Sequence, residues 1–283
     1  MKIREATAAD VDEAGRIIYA AFKGIAEQHN FPTDFPTPES AVRSARFSIA
    51  HEQCYGVVAE AEGHLLGSAY AHERDPIVGV GPVSVDPRAQ AGGVGKALMR
   101  ALLEHTAGAA GVRLVQDAFN TTSMPLYASL GFEAREPLVL VSGTPKAEPT
   151  ADIEVRPMTE ADLDTCGALC ERVHGFPRTG ELRDGLGRFA PAVAVRGGRI
   201  VAYSSGLSMR GHGVAESDEA MQALISDAAA FAPEQPALLL PIRQASFFRW
   251  ALAAGMRVVK PCTLMTIGAY QEPAGCYFPS ILY

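Results

Sequence analysis

Three glycines, Gly92, Gly93 and Gly95, lie at the junction of a β-rich segment ending Val83-Ser84-Val85 and an apolar, helix-like stretch that begins at Val94. Glycine has no Cβ, so successive backbone N–H groups can converge on an anion at the positive end of the following helix. That is chemistry for a phosphate, and two well-known phosphate loops can be tested by counting. A Walker A loop needs Gly five positions before its Gly-Lys pair and Ser or Thr after it, but Gln90 and Ala97 stand there. A dinucleotide fingerprint needs a third glycine three residues beyond Gly95, where this chain has Leu98, and an acidic residue after a second strand, which is missing. Both nucleotide readings fail.

What remains is Gln90-Ala91-Gly92-Gly93-Val94-Gly95-Lys96, followed downstream by a strand-like Val112-Arg-Leu-Val-Gln-Asp117, then Asn120, a short helix carrying Tyr127, and the exit Gly131-Phe132. Together these resemble the two consecutive motifs of the GNAT family of acyl-coenzyme A-dependent N-acyltransferases. The resemblance implies an α/β (α+β) fold with a mixed, mostly antiparallel central sheet flanked by helices. It implies acetyl-coenzyme A as co-substrate, with its pyrophosphate held by the loop at Gln90, Ala91, Gly92, Gly93, Val94 and Gly95. Arg88 and Lys96 flank that loop, where each could equally meet a phosphate or stay solvated. Val83, Ser84 and Val85 would pair with pantetheine as though it were another strand, and Pro82, which has no N–H, fits a place where pairing is interrupted. Asn120 would contact the coenzyme, or serve only as the cap of the helix behind it.

Acyl transfer from a thioester to an amine needs a deprotonated amine, stabilisation of the oxyanion, and a proton for the departing sulfur. The resemblance supplies a backbone N–H near Val83–Val85 for the oxyanion and Tyr127 as general acid; a phenol, with a reference pKa of about 10, stays protonated near neutrality. The base is unassigned. Many family members carry an acidic residue on the strand before the loop, whereas this one reads Val80-Gly-Pro-Val-Ser-Val85. His72, Glu73, Asp75 and Asp117 are the candidates. The acceptor would be a primary amine of a small molecule or peptide, with oxygen acylation left open. A non-catalytic coenzyme A sensor or partner-docking module is the alternative, favoured by the missing carboxylate and opposed by Tyr127. A homodimer is compatible with either.

The elements that must position these residues occur twice. Ile3-Arg-Glu-Ala-Thr-Ala-Ala-Asp-Val-Asp-Glu-Ala-Gly15 and Val155-Arg-Pro-Met-Thr-Glu-Ala-Asp-Leu-Asp-Thr-Cys-Gly167 share six of thirteen positions. Each reads as a strand, then a Thr with Asp three residues on, a capping-box-like start to an amphipathic helix. The echo continues in two strand-turn-strand segments, Gly56–Tyr70 and Ala192–Tyr203. The spacing predicts two domains, 1–145 carrying the chemistry and 151–283 a degenerate copy, joined by the turn-rich Ser142–Thr150. The second copy has no glycine loop, and aligning Gly255-Met256 with Gly131-Phe132 sets Gln244 against Asn120 and Ala251 against Tyr127. The first copy carries a longer insert, about Gly24 to Ser48, which in the family lies over the acceptor site.

Composition bounds the rest. A net charge of −7 argues against non-specific nucleic-acid binding, which needs a basic footprint. No apolar run reaches membrane-spanning length and no secretory h-region opens the chain, so the expected location is the cytoplasm, away from membranes. Five scattered cysteines without a Cys-x-x-Cys pair read as reduced thiols, and no His or Cys cluster suggests a metal.

Overall fold

The repeated Thr-x-x-Asp segments fold alike. In a computed structural model that describes residues 1–90, 92–146, 150 and 152–283, Arg4 forks onto Asp10 with both bonds at 2.8 Å, and Arg156 does the same to Asp162, again at 2.8 Å. Each Asp also accepts from the backbone N–H and the hydroxyl of its Thr, Thr7 or Thr159. The carboxylate therefore satisfies donors that a helix start would otherwise leave open, and it lies where the helix dipole favours negative charge.

The chain groups into two compact units. The first comprises Met1–Glu133 with Met265–Gly268 and Leu282, and the second Ala134–Leu264 with Ala269–Ile281 and Tyr283. Ala134–Ser142, which precedes the turn-rich segment, is thus grouped with the second unit. Ala147, Glu148, Pro149 and Ala151, at the expected domain junction, lie outside the described residues.

Unit 1 runs β1 (Lys2–Glu5), α1 (Val11–Gln28), α2 (Pro38–Ala50), β2 (Cys54–Ala61), β3 (His64–His72), β4 (Ile77–Val85), α3 (Val94–His105), β5 (Gly111–Asp117) and α4 (Ser123–Ser129). Strands β1 to β4 are antiparallel neighbours in chain order and β5 joins parallel to β4, with Met265–Gly268 alongside β5. The β2–β3 turn has Glu62 at φ 54° and Gly63 at φ 79°, the two left-handed residues that a tight hairpin of this twist requires. The buried residues of α3, Val94, Leu98, Met99 and Leu102, form a helical stripe over Val57, Ala69, Val80 and Leu114. On another core, Ile17 and Ile18 of α1 pack with Ala41 and Ala45 of α2, Val58 and Tyr70. The helices meet closely because a Cβ on Gly15 would stand 2.6 Å from Val42 Cα.

Unit 2 contains β6 (Glu133–Ser142, of which Glu133 belongs to unit 1), β7 (Glu154–Pro157), α5 (Leu163–His174), α6 (Thr179–Gly185), β8 (Ala192–Arg196), β9 (Arg199–Ser204), β10 (Gly213–Ala215), α7 (Asp218–Ala228), β11 (Ala237–Pro241), α8 (Ala245–Ala253), β12 (Arg257–Gly268, its end counted with unit 1) and β13 (Cys276–Phe278). Strands β7, β8, β9, β10 and β13 form an antiparallel sheet in that order, and β11 pairs antiparallel with β6. The duplication reaches fine detail. The β8–β9 turn has Gly197 at φ 56° and Gly198 at φ 77°, and its ladder shifts register between Ala194 and Val195 as the β2–β3 ladder does between Ala59 and Glu60. Gly167, the counterpart of Gly15, has Thr179 of α6 only 2.5 Å from where its Cβ would be. The expected α/β class, with mostly antiparallel sheets flanked by helices, is what the structure has.

Candidate active site

The site in unit 1 is built by a strand that loses its neighbour. Strand β4 pairs with β5 only at Ile77, Val78 and Gly79, opposite Gly111, Val112 and Arg113. Beyond Gly79 its β5-facing edge is unpaired among the described residues, while the other edge stays on β3 with an irregularity between Ala69 and Ala71. Backbone groups of Val83 and Val85 on that edge therefore face no strand, and an extended ligand could pair with them, with Val85 O now taking only a weak bond from Gln90. Gly81–Pro82, at the irregularity, is a cis peptide. Ser84 is buried, its hydroxyl 3.2 Å from that of Ser68.

From Val85 the chain turns at Asp86 and reaches α3 through Gly92 and Gly93, both exposed. Gly93 caps the helix in the left-handed region, at φ 78°, and among the described residues no side chain accepts from the first turn of α3. The N–H groups of that turn are thus left to solvent or an anion. A Cβ on Gly93 would meet nothing within 4 Å, so the demand for glycine comes from the backbone conformation and not from a clash within the protein. Gly95 is needed differently: a Cβ there would stand 3.3 Å from Leu126 of α4. Val94 is buried in the α3 stripe, Lys96 is half-buried, and the Gln90 amide bonds weakly back to Val85 O at 3.5 Å. Arg88 is chelated by Asp86 at 3.0 and 2.8 Å although its head is exposed, and this guanidinium holds the Asp86 carboxyl down to about 2. Ala91 lies outside the described residues.

Tyr127 is set by α4, whose start Asn120 caps: its Oδ1 accepts from Thr122 N at 3.2 Å and Ser123 N at 3.1 Å. The Asn120 amide nitrogen has no partner among the described residues. Gly131 stops the helix at φ 96°, and Phe132 turns back edge-on to the Tyr127 ring, centroids 5.9 Å apart. Tyr127 is 8% exposed, and its hydroxyl makes no hydrogen bond among the described residues. Burial pushes its phenol well above the ordinary value, and the Asp117 carboxylate adds to this. Asp117, at the end of β5, is therefore the one base candidate that Tyr127 feels electrostatically. His72 is buried between Cys54 and the Gly81 carbonyl, and Glu73 pairs with His105 at 3.2 Å. Asp75 is half-buried in the β3–β4 turn. Sequence reasoning missed the stacking of Phe31 on Phe119, centroids 4.4 Å apart, with His29 beside them. Two aromatic residues far apart in the chain carry no local signal that they meet.

Residues 23–132 match the model of the acetyltransferase (GNAT) family. This stretch of unit 1 is similar to a GNAT domain. No curated protein matches the sequence. Among solved structures, a Pyrococcus horikoshii protein put forward as an acetyltransferase is similar over 99% of this chain and 94% of its own, at 17% identity and a TM-score of 0.76. A GCN5-related N-acetyltransferase from Sphaerobacter thermophilus follows at 16% identity, 96% of both chains and a TM-score of 0.64. A tandem GNAT protein from the clavulanic acid biosynthesis pathway matches 99% of both chains at 14% identity and a TM-score of 0.57. The fold is thus that of tandem GNAT proteins, as the internal repeat suggested.

The second copy fills the corresponding places itself. Strand β10, the counterpart of β4, has β9 on one edge and β13 on the other. A Cβ on Gly213 would stand 2.2 Å from the Phe278 ring, so the two strands are seated tightly. Gln244, set against Asn120, clamps the same segment by both amide atoms, to Tyr277 O at 2.8 Å and from Tyr277 N at 3.1 Å. The start of α7, the counterpart of α3, is closed by Ser217, whose hydroxyl accepts from Ala220 N. Ala251, at the tyrosine's place, is fully buried.

Proposed function

We propose that the first half of the chain transfers an acetyl group from acetyl-coenzyme A to a primary amine of a small molecule or peptide, both substrates being bound together. One observation carries this reading: past Gly79 the β5-facing edge of β4 pairs with no strand, and the turn after it ends at a helix start that no side chain caps among the described residues. The pantetheine amides fit the edge at Val83–Val85, and the pyrophosphate fits the N–H groups of Gly93, Val94, Gly95 and Lys96, with Gln90, Gly92 and Asn120 beside them. Arg88 would contribute charge only by leaving Asp86.

When bound, the thioester supplies an activated acyl carbon and a thiol leaving group. A backbone N–H of Val83–Val85 would donate to the oxygen on which charge develops. Burial raises the Tyr127 phenol above its ordinary value, so it stays protonated near neutrality and can donate a hydrogen bond to the leaving sulfur. Complete transfer of its proton to a thiolate, whose acid has a pKa of about 8.5, is uphill, so the proton leaves Tyr127 only in step with one arriving from the amine. Asp117, at the end of β5, is the base we favour among the four candidates. Residues 151–283 would act as a companion copy without a coenzyme site.

The alternative, a coenzyme A sensor, draws on the absence of any carboxylate along β4. Calorimetric titration with acetyl-coenzyme A, followed by thiol release in a panel of amines, separates the two. One site per chain with turnover supports the enzyme, one site without turnover the sensor, and no binding removes both.

A further inference from the structure

Cys54 and His72 stand directly opposite each other where β2 pairs with β3. Their side chains meet at 2.9 Å, Sγ to Nδ1. The other ring nitrogen, Nε2, lies 2.8 Å from the carbonyl oxygen of Gly81. A carbonyl can only accept, so Nε2 carries a hydrogen and donates it. This fixes the ring: Nδ1 faces sulfur either with its lone pair toward a thiol or with a proton toward a thiolate. In both forms one proton is shared between Cys54 and His72, and the carbonyl holds the ring in place for either.

Nucleophile, base and a third group that orients the base is the arrangement by which cysteines are activated. The positions suit access as well. His72 is 3% exposed and held from both sides, whereas Cys54 is half-buried where β2 begins, next to the exposed Glu52 and Gln53. The other four cysteines, Cys166, Cys170, Cys262 and Cys276, are buried.

We propose that Cys54 is a nucleophilic modification site, activated by His72, whose partner is a small disulfide. Attack at a disulfide sulfur develops no oxyanion, so it needs only a thiolate and a group to exchange the proton, and the pair provides both. The Cys54 thiol gives its proton to His72 Nδ1, and its sulfur attacks one sulfur of the disulfide. A new S–S bond forms, the old one breaks, and the departing thiolate takes the proton back from His72. The disulfide is the oxidant and no other reagent is required. This inference stands apart from the proposed acetyl transfer.

The test is the reaction of the reduced full-length protein with the uncharged disulfide 4,4′-dithiodipyridine at pH 7, with the modified residue located by peptide mass. One thiol per chain is expected to react at least tenfold faster than N-acetylcysteine and to map to Cys54. Cys54→Ser should abolish the fast phase, and His72→Gln should slow it at least tenfold. A wild-type rate no faster than the free thiol, a fast phase that maps elsewhere, or full speed in a folded His72→Gln protein would overturn the proposal. Should His72→Gln fail to fold, the wild-type rate against the free thiol and the mapped residue decide alone.

Discussion

Replacing Asp10 by Asn removes the charge from a carboxylate that answers four donor contacts. Arg4 donates twice at 2.8 Å, Thr7 N once at 2.7 Å and the Thr7 hydroxyl once at 2.9 Å. Asp10 is 7% exposed while the Arg4 side chain is 29% exposed, so water screens the pair in part. The Arg4 guanidinium first, then the Thr7 donors, outweigh burial and bring the carboxyl from 3.8 to about 2. At roughly 1.4 kcal/mol per pH unit of displacement, this is about 2 kcal/mol of stabilisation at neutral pH. Because the folded-state value is the lower one, the contribution is complete above the unfolded value of 3.8 and is lost as the pH falls through about 2. Asp10→Asn should therefore lower the urea midpoint at pH 7 by about 1 M, for a slope of about 2 kcal/mol per M, followed by far-UV circular dichroism. The gap between variant and parent should narrow steadily from pH 4 to pH 3. Equal midpoints at pH 7, or a gap that does not narrow in acid, would refute the reasoning.

The twin substitution Asp162→Asn should act in the same direction, since Arg156 holds that carboxyl down as well; Trp250, the sole tryptophan and a member of unit 2, reports it by fluorescence. Tyr127→Phe should cut the acetyl-transfer rate about tenfold to a hundredfold while leaving the calorimetric affinity for acetyl-coenzyme A within about twofold. Burial raises the Tyr127 phenol, so the neutral donor persists and the parent's rate should show no alkaline fall between pH 8 and pH 10; a fall there that Tyr127→Phe removes would count against its placement. Gly93→Val should weaken acetyl-coenzyme A binding at least tenfold and cost about 1 kcal/mol in folding, since φ 78° strains any β-branched residue. Unchanged binding by that variant would detach the loop from the coenzyme.

Local rules made much of this legible in the chain. Thr7 with Asp10, and Thr159 with Asp162, announce helix starts because a cap needs only neighbours in sequence, and Gly63 and the Gly197-Gly198 pair announce hairpins for the same reason. The glycine loop could be read because its demand, a left-handed residue ahead of an apolar helical stripe, is local too. The repeated Gly15 and Gly167 stood in the pattern, but the reason for them did not: each is required by a second helix, at Val42 and at Thr179, that sequence does not bring near. Long-range register hid the rest. Nothing local sets Cys54 opposite His72, stacks Phe31 on Phe119, places Met265–Gly268 beside β5 or carries Cys276–Phe278 to β10. These depend on which strands pair, a choice made by burial over the whole unit.

The two copies show how a duplicated fold can keep its frame while its openings diverge. Both retain the Arg-Thr-Asp cap, the glycine at the helix crossing and the hairpin with its bulge, all of which act within the frame. They differ at the two places where backbone groups lack a partner. In the first copy, among the described residues, the β5-facing edge of β4 past Gly79 pairs with no strand and no side chain caps the start of α3. In the second, β13 occupies the edge of β10 and Ser217 closes the start of α7. An unpaired strand edge and an uncapped helix cost stability unless something covers them, and the second copy covers both with its own residues. On the proposed reading the first copy has left that task to its substrate, so acetyl-coenzyme A should raise the stability of the unit carrying Gly93 and leave the environment of Trp250 unchanged. A shift of Trp250 emission on binding, with Gly93→Val leaving it intact, would place the ligand in the second copy instead.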